Sequence, residues 1–158
     1  MKKMLSTSLV VAGMLSLPVR VANPQPPDAA SQYKDDPRLE SLKRFFQQSD
    51  CPARFLAAEF LMVADQHNLD WRLLPSLSIV ESSGGRLARR NNMFGWDNGK
   101  AAFISRRAGI HDMARNLADS KRYRDEDVDG ILRKYNPSAN YSSVVKSVMR
   151  RIAPSEEL

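Results

Sequence analysis

Residues 73–85, LLPSLSIVESSGG, form the stretch that decides the fold of this chain. Its apolar residues leave almost no polar face, which predicts a helix buried inside a domain. Pro75 falls in the first turn, where a missing N–H costs little, and the closing glycines favour an abrupt left-handed ending. Leu74, Leu77 and Glu81 share one face of this helix, so the only acid of the stretch is predicted to point the way the core leucines point.

The pattern is helical almost throughout from residue 38 onward, which predicts a mainly α fold of about six helices. The predicted helices cover residues 38–48, 52–67, 70–81, 105–117, 127–135 and 141–152. Residues 89–105, RRNNMFGWDNGKAAFIS, break this period and are rich in turn formers. They are predicted to form a small loop or hairpin lobe, with a short pairing around Phe94 and Phe103.

The N-terminus has the layout of an export signal. Two lysines precede an uncharged run from residue 5 to residue 17, which is short for a helix that spans a bilayer. Residues 1–22 are therefore predicted to be a signal peptide or an uncleaved signal anchor. Residues 23–37, NPQPPDAASQYKDDP, are rich in proline, alanine and acids and are predicted to be a linker. Residues 38–154 are long enough for one domain with its own core.

Charge argues against a nucleic-acid partner. The net charge is +6, but three of the 24 basic residues and none of the 18 acidic ones lie in residues 1–22. The remaining 21 basic and 18 acidic residues leave a net charge of +3, which is ordinary for a domain of this size. The predicted export of the protein also argues against DNA as its partner. A nucleic-acid binder stays as the weakest alternative.

Cysteine and histidine usage predicts neither a disulfide nor a metal site. Cys51 is the single cysteine, which excludes an internal disulfide, and it is predicted to be a small buried residue near a helix start. His67 and His111 lie far apart and have no ligand partner at helical spacing. No metal and no cofactor are therefore predicted.

Glu81 is the leading candidate for a side chain that takes part in acid–base chemistry. It lies at the carboxyl end of a buried helix, where desolvation and the helix dipole both favour the protonated form of a carboxyl group. A carboxylic acid that is neutral near neutral pH can protonate a leaving oxygen. The alternative is a glutamate that turns outward at a fraying helix end.

Two later motifs add groups that bind sugars. NNMFGW at residues 91–96 supplies two amides and two aromatic rings, and YNPSANY at residues 135–141 adds two phenols. Amides hydrogen-bond sugar hydroxyls, and rings stack on the apolar sugar face. Trp96 is predicted to be half exposed, whereas core packing is the favoured alternative for Phe94. Tyr141 lies on the apolar stripe of the last helix, so core packing with a bonded hydroxyl is its alternative.

In this order, LLPSLSIVESSGG, NNMFGW and YNPSANY resemble the lysozyme-like glucosaminidase family. Members include bacterial N-acetylglucosaminidases that cut peptidoglycan and domains described as mannosyl-glycoprotein endo-beta-N-acetylglucosaminidase-like. The resemblance covers roughly residues 52–153, and the related lytic transglycosylases share the Glu-Ser step, here Glu81-Ser82. It implies a lysozyme-like fold with a groove between two lobes, and a peptidoglycan or related N-acetylglucosamine-containing partner. It also implies a place in the periplasm or cell envelope of a bacterium, with membrane contact only through an uncleaved signal.

The resemblance also implies roles for single residues. Glu81 matches the catalytic acid that cleaves a β-1,4 glycan bond, and Tyr135 matches a residue that places the substrate or steadies the transition state. The predicted substrate-binding residues are Ser82, Asn92, Phe94, Gly95, Trp96, Tyr135 and Tyr141.

The sequence departs from the family at the second acid. Glycoside hydrolysis usually uses two carboxylates, yet the nine residues SSGGRLARR after Glu81 contain none. Asp97 is the nearest later acid, and the sequence Asp-Asn-Gly that contains it primarily predicts a turn. Three options stay open: one carboxylate assisted by the substrate, as in lytic transglycosylases; a second acid from elsewhere in the fold; or a glycan-binding module that does not cleave.

Overall fold

The computed structural model describes residues 28–154, and it is mainly helical, as predicted. The predicted signal at residues 1–22 and the first part of the predicted linker lie outside the described residues. The helices are α1 (Ala29–Gln32), α2 (Pro37–Gln48), α3 (Ala57–Gln66), α4 (Leu73–Ser82), α5 (Arg106–Asp119), α6 (Val128–Tyr135) and α7 (Tyr141–Ile152). A 3-10 turn, Pro52–Leu56, leads into α3. Within residues 28–154 no helix has the length and apolar character needed to cross a membrane.

Helix α4 is the central helix and packs against α3, α5 and α7. Leu73, Leu74 and Leu77 are fully buried, which confirms that this helix belongs to the core. Burying each leucine contributes roughly 1.5–3 kcal/mol relative to leaving it exposed. Ser78 is also buried, and its hydroxyl is satisfied because it donates to the Pro75 carbonyl at 2.7 Å.

Helix α4 ends abruptly in a left-handed turn. Ser83 has φ 52°, and Gly84 and Gly85 follow with φ 64° and 89°, so the turn begins one residue before the predicted glycines. The Gly84 N–H donates to the Ser78 carbonyl at 2.9 Å, which satisfies one of the carbonyls left without a helical partner at the end of α4. Gly84 backs onto the buried Cys51, and a Cβ at Gly84 would lie 2.4 Å from the Cys51 Sγ.

A buried acid joins α3 to α5. The Glu59 carboxylate is almost completely buried, with Oε2 3.2 Å from the Arg107 Nε and Oε1 in contact with the His111 ring. A buried carboxylate without partners is costly, so these two groups from α5 are what allow Glu59 to lie there. Sequence patterning did not single out this cluster.

The described part of the predicted linker packs onto the domain, which differs from the prediction for residues 23–37. Ala29 and Tyr33 are buried, and the Tyr33 hydroxyl donates to Asp65 on α3 at 2.8 Å. Asp36 caps α2 by accepting from the Arg38 N–H at 2.8 Å. Prolines and acids dominate the composition of residues 23–37, which favoured a linker. The buried Tyr33 and the Asp36 cap nevertheless hold the second half of this segment against the domain.

Of the predicted loop or hairpin, residues 89–105 form a loop, and the predicted pairing around Phe94 and Phe103 is wrong. Residues 89–105 form no strand, and the Phe103 N–H donates instead to the Arg90 carbonyl at 3.0 Å. The reason is backbone geometry, since residues with positive φ interrupt any extended pairing. Those residues are Arg90, Asn91, Gly95, Asp97, Asn98 and Gly99.

The crowding at Gly84 yields a stability prediction. Gly84→Ala combines a left-handed backbone with a contact on Cys51, so we expect the free energy of unfolding to fall by about 3 kcal/mol or more. Gly99 is a matched control, because its φ is 78° and nothing lies within 4 Å of a Cβ there. Gly99→Ala should cost roughly 1–2 kcal/mol in the same urea titration. Equal losses for the two variants would contradict the crowding at Gly84.

Candidate active site

Glu81 lies in the last turn of α4 and is half-buried. The Tyr141 hydroxyl, from the start of α7, donates to the Glu81 Oε1 at 2.5 Å. No ion pair among the described residues involves Glu81, so a phenol and not a cation steadies this carboxylate. Glu81 therefore points inward onto α7, as its helical position predicted.

Gly95 lies against the other carboxylate oxygen. Its φ is 62°, and a Cβ at this position would lie 2.5 Å from the Glu81 Oε2 and 3.4 Å from its Cδ. Only glycine leaves room for the carboxylate here and adopts this backbone conformation without strain. The loop and α7 thus approach the two oxygens of Glu81 from different directions.

Two side chains fix the loop that carries Gly95. The Ser82 hydroxyl donates to the Met93 carbonyl at 2.7 Å and accepts from the Gly85 N–H at 3.0 Å, which pins the loop to the end of α4. The Asn92 amide donates to the Trp96 carbonyl at 2.9 Å, and its oxygen accepts from the Trp96 N–H at 3.0 Å. These bonds close residues 92–96 into a compact turn beside Glu81.

Three predicted substrate-binding residues therefore lie behind the site. Ser82, Asn92 and Phe94 are all buried, with 3%, 5% and 1% of their surfaces exposed. The polar groups of Ser82 and Asn92 are used within the protein, and Phe94 packs in the core, as its alternative interpretation held. The structure places these three in the wall that supports the site, with Gly95 and Trp96 in front of them.

Aromatic rings from separate segments form a row beside Glu81. The rings of Tyr141 and Tyr135 stack with centroids 6.0 Å apart and planes 12° apart. Trp96 follows with its ring 5.9 Å from Tyr135, and Tyr123 lies 6.3 Å from Trp96. The Tyr135 hydroxyl donates to the Phe94 carbonyl, so this row is tied to the same loop. The structure thus brings together Glu81, Gly95, Trp96, Tyr135 and Tyr141, which sequence patterns had singled out separately.

The environment keeps the two tyrosines nearest Glu81 protonated. Burial raises the pKa of Tyr141 well above its ordinary value, and the hydrogen bond to the Glu81 carboxylate raises it further. Burial and the nearby charge of Glu81 likewise raise the pKa of Tyr135. Tyr141 therefore stays a hydrogen-bond donor to Glu81 across the physiological range.

An open cleft of about 590 Å³ extends along the aromatic row. This volume is in the range of small-ligand sites. Its lining residues are Gly95, Trp96, Asp97, Asn98, Ala101, Arg122, Tyr123 and Tyr135. Glu81 is not part of this lining, but its carboxylate lies against Gly95, which is. Arg122 and Tyr123 were missed from the sequence, because they lie in the charged stretch KRYRDED, which carries no motif.

Asp97, the nearest acid after Glu81 in the sequence, lies in an exposed turn. It is exposed in the turn that Asp-Asn-Gly predicts, with φ 53°, and its carbonyl accepts from the Lys100 N–H at 2.9 Å. Asp97 borders the cleft, and no hydrogen bond in the described part of the chain joins it to Glu81. Residues 28–154 also contain no group of three or more His, Cys, Asp or Glu side chains that could hold a metal ion.

Comparisons of this chain with protein-family models, with curated proteins and with solved structures found no match. The arrangement offers one inward-facing carboxyl group, a phenol bonded to it, and an aromatic cleft alongside. That combination suits proton transfer to a ligand that has an apolar face and hydroxyl or ether oxygens able to accept a proton.

The tyrosines yield a prediction for alkaline pH. The pKa values of all four tyrosines are raised, mainly by burial. The pKa of Tyr33 is raised to about 12. A folded-state pKa above the unfolded value of about 10 means that this stabilisation is complete below pH 10 and is lost as the pH rises further. We expect phenolate absorbance to stay low near pH 10 and to rise only together with unfolding.

The urea-unfolded chain is the control for this titration and should ionise near pH 10. Helical circular dichroism, recorded on the same samples, reports unfolding. A tyrosine that ionises near pH 10 while the helical signal is intact would contradict the buried environment.

Proposed function

We propose that this chain is a peptidoglycan-degrading glycosidase of lysozyme-like fold that cleaves a β-1,4 glycan bond with Glu81 as general acid. The supporting observation is the pair of contacts on Glu81, with the Tyr141 hydroxyl on Oε1 and the small Gly95 beside Oε2. The resemblance of residues 52–153 to glucosaminidases points to the same residue. The proposal includes export to the cell envelope of a bacterium, through the signal predicted in residues 1–22.

The two carboxyl oxygens have different tasks in this proposal. Oε1 accepts the Tyr141 hydrogen bond, and Tyr141 remains protonated because its pKa is raised. The oxygen left free to exchange a proton with a ligand is therefore Oε2, which lies beside Gly95. Oε2 protonates the glycosidic oxygen as the bond to the leaving sugar breaks, and the resulting carboxylate can then accept a proton from the attacking group.

The cleft supplies the groups that hold the glycan. The half-buried Trp96 borders the cleft and offers an aromatic ring on which a sugar stacks, and Asn98 and Asp97 offer polar groups for hydroxyls and amides. Tyr135 and Tyr141 lie between this surface and Glu81. A chain of linked sugars that follows the aromatic row would bring a bridging oxygen towards Glu81.

The proposed reaction uses a single protein carboxylate. The attacking group is then the acetamido oxygen or a hydroxyl of the substrate, or a water that these groups direct. Attack by a substrate hydroxyl gives an anhydro sugar, as in lytic transglycosylases, whereas final attack by water gives a reducing end.

A second candidate function is a glycan-binding module of the cell envelope that does not cleave. The observations that favour it are that the nine residues after Glu81 carry no acid and that the nearest later acid, Asp97, lies in an exposed turn. Such a protein would sediment with insoluble cell wall and would leave its turbidity unchanged.

Substitution of Glu81 tests the proposal. We expect Glu81→Gln to lower the release of soluble muropeptides from purified peptidoglycan about a hundredfold or more, because an amide cannot donate the proton. Glu40→Gln is the matched control, since Glu40 is an exposed glutamate on α2. It should retain full release, and both variants should keep the helical signal of the parent chain.

Mass spectrometry of the released products separates the alternatives. Anhydro-sugar ends identify transglycosylase chemistry, and reducing ends identify a hydrolase. Release by Glu81→Gln at the parental rate would refute the role of Glu81. Binding to cell wall without any product from the parent chain would establish the binding module instead.

A further inference from the structure

Basic charge is concentrated in one segment of the chain. Residues 82–111 contain six basic residues and one acidic residue, Asp97. This excess of five exceeds the net charge of +3 carried by residues 23–158 as a whole, so the remainder of that part is slightly acidic. Apart from residues 1–22, the excess of basic charge in this chain therefore lies in residues 82–111.

Three loops bring these residues onto one face. The Ala53 N–H donates to the Gly84 carbonyl at 3.0 Å, which joins the 3-10 turn before α3 to the loop after α4. The Arg106 guanidinium donates to the Gly85 carbonyl at 3.1 Å, which joins the start of α5 to the same loop. The Phe103 N–H donates to the Arg90 carbonyl at 3.0 Å and continues the face towards residue 104.

Large apolar side chains protrude from this face. Phe55, Leu87 and Ile104 are 76%, 71% and 94% exposed, and they are three of the four large apolar side chains that are exposed within residues 28–154. Phe55 and Ile104 border one shallow depression of about 430 Å³, whose wall also includes Arg106 and Arg107. The apolar groups thus stand among cations and not apart from them.

Most of the cations on this face have no acidic partner. Arg86, Arg89, Arg90 and Arg106 form no ion pair with a carboxylate in the described part of the chain. The guanidinium groups of Arg86 and Arg106 donate to backbone carbonyls, which orients them without neutralising their charge. We call the set Arg86, Arg89, Arg90, Arg106, Phe55, Leu87 and Ile104 the basic–apolar face.

We propose that the basic–apolar face binds the surface of a bilayer that contains anionic phospholipids. Arginines attract anionic headgroups, and exposed phenylalanine, leucine and isoleucine side chains insert at the boundary between headgroups and acyl chains. A soluble polyanion such as nucleic acid would engage the arginines but would gain little from three protruding apolar side chains. This binding site is independent of the function proposed for Glu81.

The uncharged run at residues 5–17 fits this proposal. A single weak hydrophobic anchor binds a membrane only marginally, and stable attachment takes a second signal such as a basic surface. If the predicted signal is retained, the basic–apolar face supplies that second signal. If it is removed, the face still gives reversible binding that depends on salt.

Vesicle sedimentation of the full chain tests the proposal. The vesicles are phosphatidylcholine alone or phosphatidylcholine mixed with phosphatidylglycerol. The charge variant combines Arg89→Gln with Arg90→Gln, and the apolar variant combines Phe55→Ser with Ile104→Ser. The control combines Arg133→Gln with Arg150→Gln, which removes the same charge from exposed positions on α6 and α7. All variants keep residues 5–17 and differ from the parent only on the surface.

We expect the parent to bind the phosphatidylglycerol vesicles in preference to phosphatidylcholine, and the charge variant to bind them at least about tenfold more weakly. The apolar variant should lose a similar factor, whereas the control should stay within about twofold of the parent. Equal binding to both vesicle types, or an equal loss in the control, would overturn the proposal. An apolar variant that binds like the parent would also overturn it, in favour of a site for soluble polyanions, which a duplex oligonucleotide would then occupy. None of these results depends on glycan cleavage.

Discussion

The abrupt left-handed ending of α4 is the constraint on which the rest of the structure depends. The chain turns away from the helix axis from Ser83 onward, and this turn places Gly84 against Cys51, where no side chain would fit. The turn sends the following loop back across the last turn of α4, where the buried hydroxyl of Ser82 holds it. Glu81 is therefore enclosed by its own chain on one side and by α7 on the other, although it lies at the end of a helix.

The candidate site separates the reacting group from its support. One carboxyl group carries the proposed chemistry, whereas its position depends on backbone contacts made by residues that are hidden behind it. The row of aromatic rings comes from the loop after α4, the turn after α5, and helices α6 and α7. The cleft consequently exists only when all of these segments are packed, and a change in the spacing of α6 and α7 would alter it directly.

Local patterns predicted the helices well, because helical periodicity and caps depend on residues that are close in sequence. Ser105 is an example, since it was predicted as a cap and accepts from the Ala108 N–H at 3.0 Å. The contact between Glu81 and Tyr141 joins residues sixty positions apart, so only the family resemblance and not periodicity could place both in one site. Tyr123 and Glu59 were missed for a related reason, because each gains its importance from partners on distant segments. The hairpin failed because local turn formers adopt left-handed backbone conformations that extended strands do not tolerate.

The amide of Asn92 has a consequence for how this surface can vary. It closes the chain on both polar groups of the Trp96 backbone, so the position of Gly95 is fixed before the chain reaches Asp97. The residues from Asp97 to Gly99 are exposed and bond mainly to one another and to the closed turn. Insertions or deletions there can remodel the rim of the cleft while the carboxyl group stays in place. The rim loop at residues 97–99 can therefore vary in sequence and length, whereas the position of Glu81 does not depend on it.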